Sequence, residues 1–114
     1  MDTDNALAAF AALAQPTRLD VFRLLVAHEP EGMPAGEVAR RLDVPHNTLS
    51  THLGILVRAG LIEAERQSRL ILYRARLDAV RELASFILKD CCGGNPDNCA
   101  PLLGDLQPCW TEAG

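Results

Sequence analysis

The sequence predicts a mainly α-helical domain with one small β-hairpin. Apolar residues recur at helical spacing in five segments, and two short apolar runs flank a short polar connection. A chain of 114 residues has room for one hydrophobic core. Hydrophobic residues make up 48% and charged residues 23% of the chain, which is typical of a globular domain.

The first two predicted helices each have one apolar face. The first runs over about residues 5–14 behind a cap at Asp4 or Thr3, and the second begins at Pro16, which suits a first helical turn. A turn over residues 28–32 ends the second helix. The residues expected to face the core are Leu7, Phe10, Ala11 and Leu13 in the first helix, and Leu19, Phe22, Leu25 and Val26 in the second.

The next two predicted helices form a helix-turn-helix. A short helix over residues 35–42 is followed by the break at residues 43–45 and by a helix that begins near His46. Gly60 is placed to end that helix in a left-handed conformation. Its predicted inner face consists of Leu49, Leu53, Leu56 and Val57, and its outer face of Asn47, Thr48, Ser50, Thr51 and His52.

A hairpin and a last helix complete the predicted domain. Residues 61–66 and 70–75 are the predicted strands, joined by the connection 66–69. The last helix starts at Leu77 or Asp78 and ends at Lys89, with Val80, Leu83, Ala84, Ile87 and Leu88 on one stripe. A helix-turn-helix followed by such a hairpin is a winged helix, and we take residues 1–90 as this domain.

Positive charge is concentrated in the middle of the chain, although the net charge is −4. Residues 40–76 contain seven arginines and three acidic residues, and arginine matches phosphate and base edges well. The predicted DNA-binding residues are His46, Asn47, Thr48, Ser50, Thr51, His52, Arg66 and Arg69. We expect Arg74 and Arg76 to contact DNA phosphates as well, and His52 to contact either a phosphate or the backbone. The alternative to DNA binding is that the polar outer face of this helix is simply exposed to solvent.

These parts, in this order, resemble the ArsR/SmtB family of winged-helix repressors. The similarity lies in residues 15–19, 35–39, 47–56 and 59–62 and in the end of the hairpin at Tyr73 and Arg74, within about residues 5–90. The resemblance implies a homodimer built from the first and last helices. It also implies binding to double-stranded operator DNA with an inverted repeat, and release from DNA when an inducer binds.

The metal-binding residues of the best-known family members are absent from this sequence. Residues 32–38 contain no cysteine, and residues 77–89 contain no histidine. The chain does resemble those arsenic-responsive members that have a vicinal cysteine pair after the last helix and a third cysteine a short loop later. Here these are Cys91, Cys92 and Cys99, in a predicted effector-binding tail of residues 91–114.

Three thiolates suit trivalent arsenic, and antimony as well, because such an ion takes three sulfur ligands in a pyramid. Zinc prefers four ligands in a tetrahedron. We therefore expect arsenite, As(III), or antimonite to act as the inducer, with no organic cofactor and with Cys109 outside the site. The alternatives are a sensor of zinc, cadmium or lead, and a sensor of thiol oxidation.

Two other classes of protein do not fit the sequence. No apolar run approaches the roughly 18 residues of a membrane span, and the acidic residues 1–5 do not resemble a signal peptide. We therefore expect a cytoplasmic protein with no membrane partner. Since no acid, base or cofactor motif accompanies the cysteines, we expect no enzymatic activity.

Overall fold

The computed structural model describes residues 1–91, and the side chains of residues 1–88. Its secondary structure confirms the predicted class of five helices and a small β-hairpin, and a third short strand extends the hairpin into a sheet. In chain order the elements are α1 (Thr3–Leu13), α2 (Pro16–Ala27), β1 (Met33–Pro34), α3 (Ala35–Leu42), α4 (His46–Arg58), β2 (Ile62–Gln67), β3 (Leu70–Ala75) and α5 (Leu77–Cys91). The strands form one antiparallel sheet in the order β1-β3-β2.

Side-chain caps fix the starts of α1 and α2. The carboxylate of Asp2 accepts a hydrogen bond from the backbone N–H of Asn5 at 2.7 Å, so α1 begins earlier than predicted and neither Thr3 nor Asp4 is the cap. The predicted start of α2 at Pro16 is confirmed. There the Gln15 side chain accepts from the backbone N–H of Arg18 at 2.8 Å.

The predicted inner faces of α1 and α2 are partly wrong. In α1 the buried residues are Ala6, Ala9 and Ala12, while Leu7 is 60% exposed. Phe10 and Leu13 are half-buried, and Ala11 is exposed. In α2 the buried set is Val21, Phe22 and Leu25, and both Leu19 and Val26 are exposed. The small alanine side chains let α1 approach its neighbours closely, so larger apolar residues remain on its outer side.

The helix-turn-helix has the predicted boundaries. Asp43, in the left-handed conformation with φ 54°, ends α3 and turns the chain into α4. Leu49, Leu53 and Leu56 are buried as predicted, whereas Val57 is 38% exposed. Gly60 follows α4 with φ +78°, which confirms its left-handed conformation.

The hairpin turn is tighter than predicted, and β2 lies one residue later in the chain. Gln67 pairs with Leu70, which leaves a two-residue turn of Ser68 and Arg69, with Ser68 at φ 61°. The short strand β1 was not predicted. Met33 pairs with Tyr73. A two-residue strand is too short to show an alternating pattern, so only the tertiary pairing reveals it.

In α5 the core contacts differ from the predicted stripe. Ala79 and Leu83 are buried. Val80, Ala84 and Ile87 are exposed and Leu88 is half-buried. The predicted boundary at Lys89 is close to the observed end at Cys91.

The core lies between the helix-turn-helix and the base of the hairpin. Its fully buried large side chains are Leu25, Leu49, Leu53, Leu56, Leu61, Ile62, Val21 and Val38. Each such side chain contributes about 1.5–3 kcal/mol of burial free energy. Among residues 1–91, no helix is both long and apolar enough to cross a bilayer.

Gly32 connects the end of α2 to β1 in a conformation that is unfavourable for residues with a side chain. Its φ is +74°, and an added Cβ would lie 2.6 Å from Cγ of Arg74 and 3.0 Å from the carbonyl oxygen of Tyr73. We expect Gly32→Ala to lower the free energy of unfolding by about 1–3 kcal/mol. Urea denaturation of the purified variant measures this.

Gly36, in α3, provides the matched control. An added Cβ there would meet only Nε2 of His46, at an ordinary contact distance of 3.7 Å. Gly36→Ala should leave stability unchanged or raise it by about 0.5–1 kcal/mol, because alanine is the better helix former. Equal effects of the two substitutions would contradict the strain assigned to Gly32.

Candidate nucleic-acid interface

The outer face of α4 is polar and accessible. His46, Asn47, Thr48, Ser50 and Thr51 are all exposed, and His52 is half-buried at the edge of this face. The buried leucines on the opposite side hold α4 in place, so these side chains project from a rigid element. Ser50 donates a hydrogen bond to the carbonyl oxygen of His46 at 3.1 Å, and Asn47 accepts one from the N–H of Thr48 at 3.0 Å.

Two arginines of the hairpin are available to a ligand. Arg66 pairs with Ile71 in the register of β2 and β3, near the end of the hairpin, and Arg69 lies in the turn. Both side chains are exposed, and within residues 1–88 neither has an ion-pair partner. Their positive charge can therefore act on an external anion.

Arg74 and Arg76 instead form ion pairs within the protein. Arg74 donates to both carboxylate oxygens of Glu29, at 3.1 and 3.3 Å, and to Glu65 at 3.4 Å. Hydrogen bonding to Glu29 is the main cause that raises the pKa of Arg74. Arg76 donates to Asp78 at 3.0 Å, which lowers the pKa of that carboxyl. We expected both arginines to face phosphates, but their charges are already balanced.

The arginines of α3 are also paired. Arg40 and Arg41 both form salt bridges with Glu37 on the same helix, and Arg41 lies 3.2 Å from Nε2 of His28. Of the seven arginines in residues 40–76, those without an ion-pair partner in the described part are Arg58, Arg66 and Arg69. The accessible positive charge is therefore smaller than the count from sequence suggests.

Arg18 contacts the edge of the α4 face, which the sequence did not predict. Its Nε donates to the carbonyl oxygen of Ala12 at 2.6 Å, in the last turn of α1. Its Nη1 lies 3.4 Å from Nδ1 of His52. Within the described residues His52 therefore contacts the Arg18 side chain and not the backbone, which was one of its two predicted partners, while the predicted phosphate contact stays a prediction. No local pattern signals a contact between residues 34 positions apart in the chain.

Comparison with known proteins assigns the chain to a family. Residues 13–65 match a model described as a helix-turn-helix domain. An HTH-type transcriptional regulator from Methanocaldococcus jannaschii is 31% identical over 84 residues, covering 74% of this chain and 92% of that protein. An ArsR-like transcriptional regulator from Rhodococcus sp. RHA1 superimposes with a TM-score of 0.68 at 25% identity, covering 90% of this chain and 92% of that one. The chain belongs to the family of HTH-type transcriptional regulators, and its fold is similar to that of the ArsR-like regulator.

A second solved structure extends the comparison. The homodimeric winged helix-turn-helix DNA-binding domain from Mycobacterium bovis superimposes on this chain with a TM-score of 0.63 at 25% identity. The alignment covers 79% of this chain and 82% of the Mycobacterium bovis chain. In the winged helix-turn-helix fold that the chain shares with these structures, α4 has the position of the recognition helix and the β2–β3 hairpin has that of the wing.

The predicted thiol ligands lie at and beyond the end of the described residues. Cys91 is the last residue of α5, and its side chain, like Cys92 and Cys99, is outside the described part of the chain. Within the described residues, no group of three or more histidine, cysteine, aspartate or glutamate side chains could hold a metal ion. The cysteine site of this regulator therefore stays a prediction.

The unpaired wing arginines should contribute to DNA affinity through phosphate contacts. Replacing Arg66 and Arg69 together by glutamine should weaken DNA binding. It should also reduce the slope of log affinity against log salt by about 0.9 for each phosphate that is no longer neutralised. Fluorescence anisotropy of labelled duplex DNA at several salt concentrations measures both effects.

Arg81→Gln on α5 is the control, because it removes one arginine charge from an exposed residue outside α4 and the wing. Its salt slope should match that of the wild type. If the double variant and the control behaved alike, the wing arginines would not contact DNA.

Proposed function

We propose that this regulator is a homodimeric repressor that binds operator DNA through α4 and the wing. Trivalent arsenic, or antimony, releases it by binding to Cys91, Cys92 and Cys99. The observation that carries the DNA-binding proposal is the exposed polar face of α4, held from behind by buried leucines. Beside it, Arg66 and Arg69 are exposed and without ion-pair partners in the described part.

The chemistry of the α4 face suits the major groove of DNA. An asparagine amide can form two hydrogen bonds with an adenine edge, and serine and threonine hydroxyls bond with bases or phosphates. Asn47, Thr48, Ser50 and Thr51 supply these groups from the first two turns of α4. This is the part of a recognition helix that reaches base edges.

Exposed apolar residues on α1 and α5 support the proposed dimer. Leu7 is 60% exposed on α1, and Val80, Phe86 and Ile87 are 38%, 36% and 45% exposed on α5. Covering them with a second copy would remove apolar surface from water. The similar domain from Mycobacterium bovis is homodimeric. Two recognition helices in such a dimer read half-sites about 34–36 Å apart.

The dimer is tested by placing a charge on the exposed apolar face of α5. Ile87→Glu should shift the protein toward monomer and weaken binding to an inverted-repeat operator, because burying a carboxylate in the interface is unfavourable. Sedimentation velocity gives the oligomeric state, and anisotropy on DNA from upstream of the gene gives the affinity.

Leu70→Glu in the wing is the matched control, since Leu70 is 49% exposed but lies outside α1 and α5. That variant should remain dimeric. A dimer that tolerated Ile87→Glu would contradict an interface on α5.

The effector proposal is supported by the sequence after α5. Two adjacent cysteines and a third seven residues later provide three soft sulfur donors, which suit a trivalent metalloid. Cys91 is also the last residue of α5. A ligand held there would act at the end of a helix that we place in the dimer interface. Coupling between effector and DNA typically amounts to about 1–3 kcal/mol.

Arsenite should release the reduced wild-type protein from operator DNA, and replacement of Cys91, Cys92 and Cys99 by serine should abolish that release without preventing DNA binding. The measurement is anisotropy of the protein–DNA complex titrated with arsenite, with parallel titrations of zinc and of hydrogen peroxide.

Cys109→Ser is the control for loss of a thiol, and it should respond to arsenite like the wild type. Continued release of the triple variant by arsenite would contradict the site. Release by zinc or peroxide alone would replace the metalloid with one of the alternative effectors and leave the DNA-binding function intact.

A further inference from the structure

Arg18 joins three elements through one guanidinium group. Its backbone lies in the first turn of α2, and its Nε donates to the carbonyl oxygen of Ala12 near the end of α1 at 2.6 Å. Its Nη1 lies 3.4 Å from Nδ1 of His52 on α4. The carbonyl groups of a last helical turn have no partner within their own helix, so the contact with Ala12 satisfies one of them. That bond also holds the guanidinium in place.

The contact with Arg18 determines which nitrogen of His52 carries the proton. A guanidinium group has only N–H donors and stays protonated, so Nδ1 of His52 must act as the acceptor. In a neutral imidazole the proton then resides on Nε2, which becomes the donor. Among the described residues, Nε2 of His52 has no hydrogen-bond partner.

His52 stands at the edge of the DNA-facing surface of α4. Thr48, one turn earlier, is exposed, and Ile55, about one turn later, is half-buried against the core. The half-buried ring of His52 thus contacts Arg18 through Nδ1, while Nε2 is available as a donor. A donor at the edge of a recognition helix suits a DNA phosphate oxygen.

We propose that Arg18 is a positioning residue for DNA binding, which holds His52 in the tautomer with the proton on Nε2 so that this nitrogen donates to a phosphate oxygen. The inference rests on the proposed function, since it assumes that α4 faces DNA. Arg18 itself does not contact DNA in this arrangement. Lysine cannot replace it fully, because one ammonium group lacks the planar fork that reaches both Ala12 and His52.

The tautomer of His52 can be tested without DNA. Long-range proton–nitrogen NMR correlations at about pH 8, where an unperturbed imidazole is neutral, distinguish the protonated ring nitrogen from the bare one. In the wild type Nε2 should be protonated and Nδ1 bare, and in Arg18→Met this preference should weaken. A wild-type ring protonated on Nδ1 would overturn the proposal, whether or not the protein binds DNA.

A double-mutant cycle on operator DNA tests the role of Arg18. Arg18→Met should lower operator affinity roughly tenfold, which corresponds to one hydrogen bond to a charged group. In a His52→Ala background the same substitution should have little further effect, because Arg18 acts through that ring. Additive losses in the double variant would show a separate role for Arg18.

The salt dependence of binding distinguishes positioning from direct contact. If Arg18 acts through a neutral His52, Arg18→Met leaves the salt slope unchanged, because no phosphate charge is neutralised by Arg18. If Arg18 itself contacted a phosphate, the slope would fall by about 0.9, and the proposal would fail.

Three further variants separate this role from folding. His52→Asn can still accept from Arg18 but lacks the Nε2 donor, so it should keep thermal stability and lose affinity like His52→Ala. Arg18→Lys keeps the charge and should lose affinity while remaining folded, even if Arg18→Met is unstable. Arg23→Met, an exposed arginine of the same helix, should bind like the wild type. If the wild type and Arg23→Met bind no DNA, the DNA-binding function fails, and the NMR result still decides the tautomer.

Discussion

The burial of one side of α4 is the constraint on which the rest of the structure depends. Leu49, Leu53 and Leu56 are 0–2% exposed and pack into the core. Because successive leucines occupy every turn of the inner face, α4 cannot rotate without exposing them to water. The polar outer face is therefore held in one orientation by apolar packing.

The wing is also joined by polar contacts to the segment that follows α2. Arg74 connects β3 to Glu29, whose side chain is only 14% exposed, and Gly32 leaves room for that arginine. A charge that sequence analysis assigned to DNA thus stabilises the base of the wing. The arginines nearer the turn keep their charge available. Position in the hairpin decides which role an arginine has.

The exposed apolar surfaces of α1 and α5 follow from which residues of each helix face the core. Alanines allow α1 to lie close to α2 and α4, which places its bulky Leu7 on the outside. In α5, Ala79 and Leu83 supply the core contacts, and larger residues such as Ile87 are exposed. A helix has only one side toward the core of its own chain, so the other apolar side is available to a second copy.

Much of the architecture could be predicted from local pattern. The helix-turn-helix boundaries, Pro16 at the start of α2 and the left-handed Gly60 follow from spacing and from backbone preferences that act within a few residues. The polar face of α4 was predicted for the same reason, because the inner leucines define the outer residues by geometry alone.

The tertiary structure decided what local pattern could not. Whether an apolar residue such as Leu19 is buried depends on how closely neighbouring helices approach. Whether Arg74 is available depends on Glu29, 45 residues away. The contact between Arg18 and His52 likewise exists only because α1, α2 and α4 meet. The sequence by itself determined the elements and the polar surface of α4, and long-range packing decided which charges and apolar faces remain available.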